Sequence, residues 1–249
     1  MILFNHMVPT KCVPILIAFL LCLISHQPLL AQQQPPKFYL GLSFGTSFSL
    51  GDFADTDISN PDAGFAKDGR RFDAYGGYFL GKSKRTTLTA IFRAQTFETE
   101  IEELVENLRA DDPSVDLTAS TEDWQVYSFL VGLAYKVDIG RKFNFFPRLG
   151  IGPLFATNPG IVVNAPNAVI TNNFERSSEA GAGLGYEFGV GFKTDIGKRL
   201  SLLPTFTFSG GFVTIKDVVT TTDNVSVNSD YQPNISSFNI GLSLGYRFY

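Results

Sequence analysis

The clearest signal in the sequence is an alternation of large apolar residues with small or polar ones that returns along the chain. In residues 38–50 one parity is mostly Phe and Leu, and the other is mostly Gly and Ser. Residues 180–192 and 237–248 repeat the pattern. Because successive side chains of a strand point to opposite faces, each segment predicts a β-strand with one apolar and one polar face.

Weaker alternation brings the number of predicted strands to eight, with the others at 70–81, 86–97, 124–137, 143–155 and 200–212. Short turns at 82–85, 138–142 and 195–199 alternate with four long connections, so short turns and long loops lie at opposite ends. This is typical of an up-and-down meander, and an even strand number permits closure. The predicted fold is all-β, an eight-stranded antiparallel up-and-down transmembrane β-barrel.

A water-soluble, lipocalin-like barrel is the competing fold, because it has the same number of strands but places its apolar face inside. Eight strands enclose a narrow interior, which accommodates Gly and Ser more readily than columns of Phe, Leu and Tyr. The apolar faces also carry almost no ionised group in mid-strand, as a lipid-facing surface requires. Both observations favour the membrane barrel.

The first 31 residues have the layout of a secretory signal peptide. Lys11 is their only charged residue, the apolar run 13–24 follows, and the segment 28–31 ends at Ala31 before three glutamines. A transmembrane anchor would need about 20 apolar residues, and a lipoprotein signal would need a smaller residue than Leu21 before Cys22. We therefore expect a signal peptide at 1–31 and an outer-membrane barrel domain at 32–249.

Composition excludes much of enzyme chemistry from the mature chain. Both histidines and both cysteines precede residue 32, namely His6, His26, Cys12 and Cys22. Histidine-based nucleophiles and His or Cys metal sites are thereby excluded, and only carboxylate chemistry remains. The acidic net charge and the lack of a basic stripe argue against nucleic acid as a partner. We expect no catalytic residues, cofactor or metal.

The inward parity of the predicted strands collects charged residues that form a candidate lumen network: Arg71, Asp73, Arg93, Arg148 and Glu187. Ionised groups in a narrow lumen must pair or stay hydrated, so we expect Glu187 to bridge an arginine. A structural plug is the favoured interpretation, because side chains normally fill a lumen of this size. An ion-selective constriction is the alternative.

The long loops carry further candidate features. Residues 98–123 hold ten acids against Arg109, and Ile101, Leu104, Val105 and Leu108 follow helical spacing. The acids indicate a solvated charged loop, with a surface Ca²⁺ or Mg²⁺ site as the alternative. In the third loop 161–163 and 168–170 predict a hairpin, and in the fourth 213–222 and 225–228 predict another. Their edges would either accept a partner's strand or only stiffen the rim.

Residues 37–249 resemble the small eight-stranded outer-membrane barrels of the OmpA transmembrane-domain and OmpX type, and more loosely the PorT-like barrels. The segments that carry the resemblance are Leu40–Gly45, Leu50–Phe53 and Gly241–Phe248. The resemblance implies periplasmic termini and turns, extracellular loops, and a C-terminal aromatic signal read by the barrel-assembly machinery. Tyr246, Phe248 and Tyr249 match that signal, although Tyr249 follows Phe248 one residue beyond the usual end.

The sequence thus predicts a non-enzymatic integral outer-membrane barrel, exported through a cleaved signal peptide, with a structural and adhesive or receptor-like role. Its expected partners are outer-membrane lipid, the assembly machinery and an extracellular protein bound through the loop hairpins. Alternatives are a narrow channel or small-molecule carrier, and a PorT-like accessory of protein secretion. By resemblance, barrel lipases and acyltransferases need a histidine, which the mature chain lacks.

Overall fold

The computed structural model describes residues 36–57, 60, 62–102, 105–106, 117–139, 143–164, 174–222 and 225–249. The described residues form thirteen β-strands, all in one antiparallel sheet, and a short 3₁₀ helix at Gly51–Ala54. The predicted signal peptide lies outside them. Within these ranges, no helix has both the length and the apolar character needed to cross a membrane.

Eight strands are long: β1 (Phe38–Ser49), β2 (Ala66–Leu80), β3 (Thr86–Thr99), β5 (Trp124–Tyr135), β7 (Phe143–Thr157), β10 (Ala180–Asp195), β11 (Leu200–Thr222) and β13 (Asn234–Phe248). Five are short: β4 (Thr118–Thr121), β6 (Val137–Asp138), β8 (Ile161–Asn164), β9 (Phe174–Arg176) and β12 (Val225–Tyr231). The prediction of an all-β antiparallel chain is confirmed. The alternation of apolar and polar residues in the sequence did not predict β4 or β9.

The long strands pair in a ring. Each pairs antiparallel with the next long strand along the chain, from β1 through β13. β13 then pairs with β1, from Phe38 opposite Phe248 to Ser49 opposite Ser237. The sheet therefore returns on itself, and the backbone hydrogen bonds of the long strands are satisfied without a free edge.

The two faces of this ring differ sharply in polarity. Large apolar side chains point outward and are exposed, such as Leu40, Phe44 and Phe188, the last at 65%. Small, polar and charged side chains point inward and are buried, such as Ser43 at 1% and Arg93 at 0%. The polarity is opposite to that of a water-soluble barrel, so the lipocalin-like alternative is wrong.

Beyond the ring, the long loops build a second region that we call the loop sheet, made of β4, β8, β9, the end of β11 and β12. Its order is β4, β8, β9, β11, β12. The predicted fourth-loop hairpin is confirmed, because β11 continues to Thr222 and pairs with β12. A bulge interrupts this pairing between Ile215 and Val218, where Asp217 has φ 59°.

The third loop differs from the prediction. β8 pairs with β9 at 174–176, and the expected partner segment 168–170 lies outside the described residues. β8 also pairs with β4 on its other side, so its two edges are both covered. The prediction that this hairpin offers a free edge is therefore wrong, because a strand from the second loop occupies it.

Candidate functional site

The ring brings the five predicted lumen charges into one buried cluster, here called the ion-pair network. Arg93 donates from Nε to Asp73 Oδ1 at 2.8 Å and also contacts Glu187. Arg148 Nε lies 2.7 Å from Glu187 Oε1. Arg71 lies 3.2 Å from Asp73 and donates to Thr207 Oγ1 at 3.0 Å. Every carboxylate of the network is therefore paired with two guanidinium groups.

Some contacts of this network follow from the pairing of neighbouring strands, and others form only because the strands close into a ring. Asp73 stands directly opposite Arg93 in the β2–β3 ladder, so their pairing follows from register. Glu187 lies on β10, which two further strands separate from β3 in the ring. Its contact with Arg93 therefore crosses the lumen. The network ties β2, β3, β7 and β10 together and blocks the interior at mid-height.

A neutral polar layer lies next to the network on the long-loop side. Gln95 Nε2 donates to Ser47 Oγ and to Asn239 Oδ1, both at 2.9 Å. Asn239 Nδ2 donates to Ser209 Oγ at 2.9 Å. Asn239 is completely buried, and these bonds satisfy its amide. Such pairing is what a dry interior requires, because an unpaired buried amide costs about 1–3 kcal/mol.

An apolar cluster, here called the apolar cap, closes the lumen at the long-loop end. It contains Phe53, Ala66, Phe97, Trp124, Val126, Leu154, Ala156, Val213, Ile215, Val218, Tyr231 and Ile235. Phe53 comes from the first loop and packs edge-on against Phe97 and Trp124. The first loop therefore folds into the mouth of the ring.

Two hydrogen bonds fasten that loop. The Trp124 indole donates to Gly64 O at 2.8 Å, and the Tyr231 hydroxyl donates to Ala63 O at 2.9 Å. Burial raises the pKa of Tyr231 to about 12, so the phenol keeps the proton that it donates. Sequence reasoning missed the apolar cap. The one available signal was Trp124, the only tryptophan, at the start of a strand.

A small cavity of about 40 Å³ lies on the other side of the ion-pair network, toward the short-turn end. Tyr39, Tyr75, Ile91, Arg148 and Lys193 are among the residues that line it. A water molecule needs about 10–15 Å³ of such volume, so the cavity accommodates a few waters. Most of its lining is apolar, and waters in it would hydrate the two charged residues Arg148 and Lys193.

The acidic second loop is only partly described. Glu102, Val105 and Glu106 are helical, and Val105 N donates to Ile101 O at 3.0 Å. Leu104 and Leu108 lie outside the described residues, as do four of the ten acids. Ile101 packs against Ile161 and Val163 of β8, which attaches the loop to the loop sheet. Among the described residues, no three His, Cys, Asp or Glu side chains are placed to hold a metal ion.

The predicted C-terminal assembly signal lies at the short-turn end, next to the first strand. Phe248 stacks on Phe38 with ring centroids 4.5 Å apart. Tyr246 accepts a hydrogen bond from Arg199 Nη1 at 2.7 Å, and Tyr249 donates to Lys198 O. The three residues thus hold the seam between β13 and β1 and the neighbouring turn.

The chain belongs to the outer membrane protein beta-barrel domain family, whose model matches residues 17–248. This family places it in the bacterial outer membrane. No curated protein sequence matches it.

Solved structures of small outer-membrane barrels are similar to it in fold. A major outer membrane protein from Thermus thermophilus is 12% identical, with 85% of this chain and 99% of that one covered and a TM-score of 0.48. The attachment invasion locus protein Ail of Yersinia pestis is 13% identical, with 86% and 100% covered and a TM-score of 0.44. OprG from Pseudomonas aeruginosa is 12% identical, with 87% and 97% covered and a TM-score of 0.43.

Proposed function

We propose that this protein is a non-enzymatic outer-membrane barrel whose eight long strands cross the membrane and whose loop sheet binds an extracellular partner. The inverted polarity of the ring is the observation that carries the first part. Exposed Phe, Leu and Ile side chains surround a buried polar interior, and only a surrounding lipid phase stabilises such a surface. The short turns then face the periplasm and the loops face outward.

The lumen supports a structural role for its charges. Asp73 and Glu187 are each engaged by arginines, so neither carboxylate is available as a general base. No His or Cys follows residue 31 to replace them. Paired charges in a packed interior rigidify the barrel, which is the role we assign to the network.

The loop sheet supports the interaction role through one strand, β12. In the described sheet β12 pairs with β11 alone, so its other edge carries backbone groups without a strand partner. Val225 and Val227 on this strand are exposed, at 65% and 58%. An exposed edge without lysine or proline is suited to accept an extended segment of another protein.

The membrane part of the proposal is tested by gel mobility with and without boiling, after refolding into detergent micelles and lipid vesicles. A compact, protease-resistant band that unfolds only on boiling is the expected result. A monodisperse soluble species that fails to insert would overturn the proposal.

The interaction part is tested by adherence of cells that display the protein to one another and to immobilised extracellular-matrix proteins. Replacing 223–230 with a short Gly/Ser link should abolish adherence and leave the boiling-dependent band unchanged. The control replaces 82–84, at the opposite end, in the same way. Adherence that survives loss of β12 would remove the edge-strand mechanism.

A further inference from the structure

Charge is strongly segregated between the two ends of the ring. The described residues at the short-turn end include nine cations, which we call the basic ring: Lys37, Lys82, Lys84, Arg85, Lys136, Lys193, Lys198, Arg199 and Arg247. Asp138 and Asp195 are the only acids among the described residues of that end. At the long-loop end the balance reverses, with fifteen described acids against Lys67, Arg70, Arg176 and Lys216.

Ion pairs within the protein neutralise only part of the basic ring. Asp138 lies 2.7 Å from Lys136 and 3.8 Å from Arg85, and Asp195 lies 3.2 Å from Arg247 and 3.9 Å from Lys193. Lys37, Lys82 and Lys198 are exposed. No acid of the described chain lies within ion-pair distance of these three lysines. The positive charge of these three lysines is therefore exposed and is not neutralised by the described protein.

The basic ring is interleaved with exposed apolar side chains. Ile139 and Ile196 stand at the tips of two short turns and are 63% and 61% exposed. Tyr78 and Tyr135 are exposed just inside the strand ends. In a turn that ends in water, an isoleucine at the tip leaves its apolar side chain exposed to solvent. The boundary between lipid headgroups and acyl chains, however, accommodates isoleucine beside lysine.

The cations encircle the barrel instead of forming one patch. Lys37 precedes β1, Lys82 lies between β2 and β3, Lys136 follows β5, and Lys198 lies between β10 and β11. A protein partner would meet one side of such a ring. A membrane leaflet surrounds it completely.

We propose that the exposed cations of the basic ring, Lys37, Lys82 and Lys198 foremost, bind the phosphate groups of anionic phospholipids in the leaflet that surrounds the short-turn end. This inference rests on the proposed membrane barrel and deepens it by naming the lipid. Each cation near an anionic surface contributes roughly 1 kcal/mol, equivalent to about a fivefold change in binding. Salt weakens the attraction, because the Debye length falls to about 3 Å at 1 M.

The test uses the full mature chain refolded into phosphatidylcholine vesicles that contain spin-labelled phosphatidylglycerol or spin-labelled phosphatidylcholine. Electron spin resonance gives the preference of the barrel for the anionic lipid, and the boiling-dependent gel shift is measured on the same samples. The variant combines Lys37→Gln, Lys82→Gln and Lys198→Gln. The matched control combines Lys67→Gln, Arg70→Gln and Lys216→Gln at the long-loop end, with the same change in net charge.

The wild type and the control should prefer phosphatidylglycerol, and the short-turn variant should lose at least about fivefold of that preference. High salt should lower the wild-type value toward that of the variant. Folded wild type without an anionic preference, or equal preference in all three proteins, would overturn the lipid inference alone. Absence of a boiling-dependent band in every vesicle would overturn the barrel itself.

Discussion

At the scale of single residues, Glu187 illustrates how the lumen is stabilised. Its carboxylate contacts Arg93 and Arg148 and is 2% exposed. Replacing a buried pair with matched apolar groups is often neutral, but removing one partner leaves an uncompensated charge. Loss of any single charged residue of the network should therefore be strongly destabilising. The network as a whole need not add much to the free energy of unfolding.

Charge reversal of this carboxylate should be severe. Glu187→Lys places a third cation between Arg93 and Arg148, and we expect a loss of about 3–5 kcal/mol in the free energy of unfolding. Urea unfolding in detergent micelles measures it. Asp138→Lys, at a half-exposed pair near a turn, is the control and should change stability by less than about 1 kcal/mol. An unchanged boiling-dependent gel shift in Glu187→Lys would contradict the plug assignment.

At the scale of elements, the first loop is held in place by side-chain contacts of the apolar cap and not by strand pairing. The first loop is anchored by Phe53 and by the hydrogen bonds of Trp124 and Tyr231. Through the apolar cap, Phe53 of this loop becomes part of the packed interior. The loop sheet rests on this foundation, because Val213, Ile215 and Val218 of β11 belong to the same cluster.

Truncation of the indole should therefore release the loop. Trp124→Ala removes a fully buried side chain and the donor to Gly64, and should cost about 3–5 kcal/mol in unfolding free energy. Limited proteolysis should then cut within 51–65 while the long strands stay intact. Val225→Ala, an exposed site on β12, should stay within about 0.5 kcal/mol and serve as the control. Equal protease resistance in both variants would show that the cap does not hold the loop.

At the scale of the whole molecule, the outward face decides where the protein resides. Phe188 stands near the middle of β10, pairs with Leu149 and Phe208, and is exposed. In a water-soluble barrel a lysine at this position would be tolerated. In a membrane barrel the same lysine enters the hydrocarbon.

Phe188→Lys should accordingly lower stability in vesicles by about 2–4 kcal/mol. Phe212→Lys, at the far end of the paired region of β11, should cost about 0–1 kcal/mol, because the penalty falls toward the interface. Reversible urea unfolding in vesicles provides both values. Equal, small effects at the two positions would indicate that water surrounds the barrel.

Occlusion of the lumen is also a property of the whole molecule. The ion-pair network and the apolar cap close it at two levels, so the wild type should show no ion conductance in planar bilayers. Phe53→Ala opens only the apolar cap and should also show no ion conductance, because the ion-pair network still blocks the interior. Steady conductance in the wild type would favour the narrow-channel alternative.

The sequence by itself determined the strands and their two faces. Alternation is a local property with a period of two residues, so the inward parity of Arg71, Asp73, Arg93, Arg148 and Glu187 could be read directly. Connection lengths likewise separated the short turns from the long loops. Both inferences depend on residues close together in the chain.

Only the tertiary structure decided which distant residues meet. Ring closure sets the contact of Glu187 with Arg93 across the lumen, and no local period encodes it. The apolar cap joins Phe53, Trp124 and Tyr231 from three separate loops or loop ends, and their side chains had to be placed in space to be recognised as one cluster. β8 pairs with β4 and β9 because an open edge gains hydrogen bonds from any strand within reach, whatever its distance in sequence.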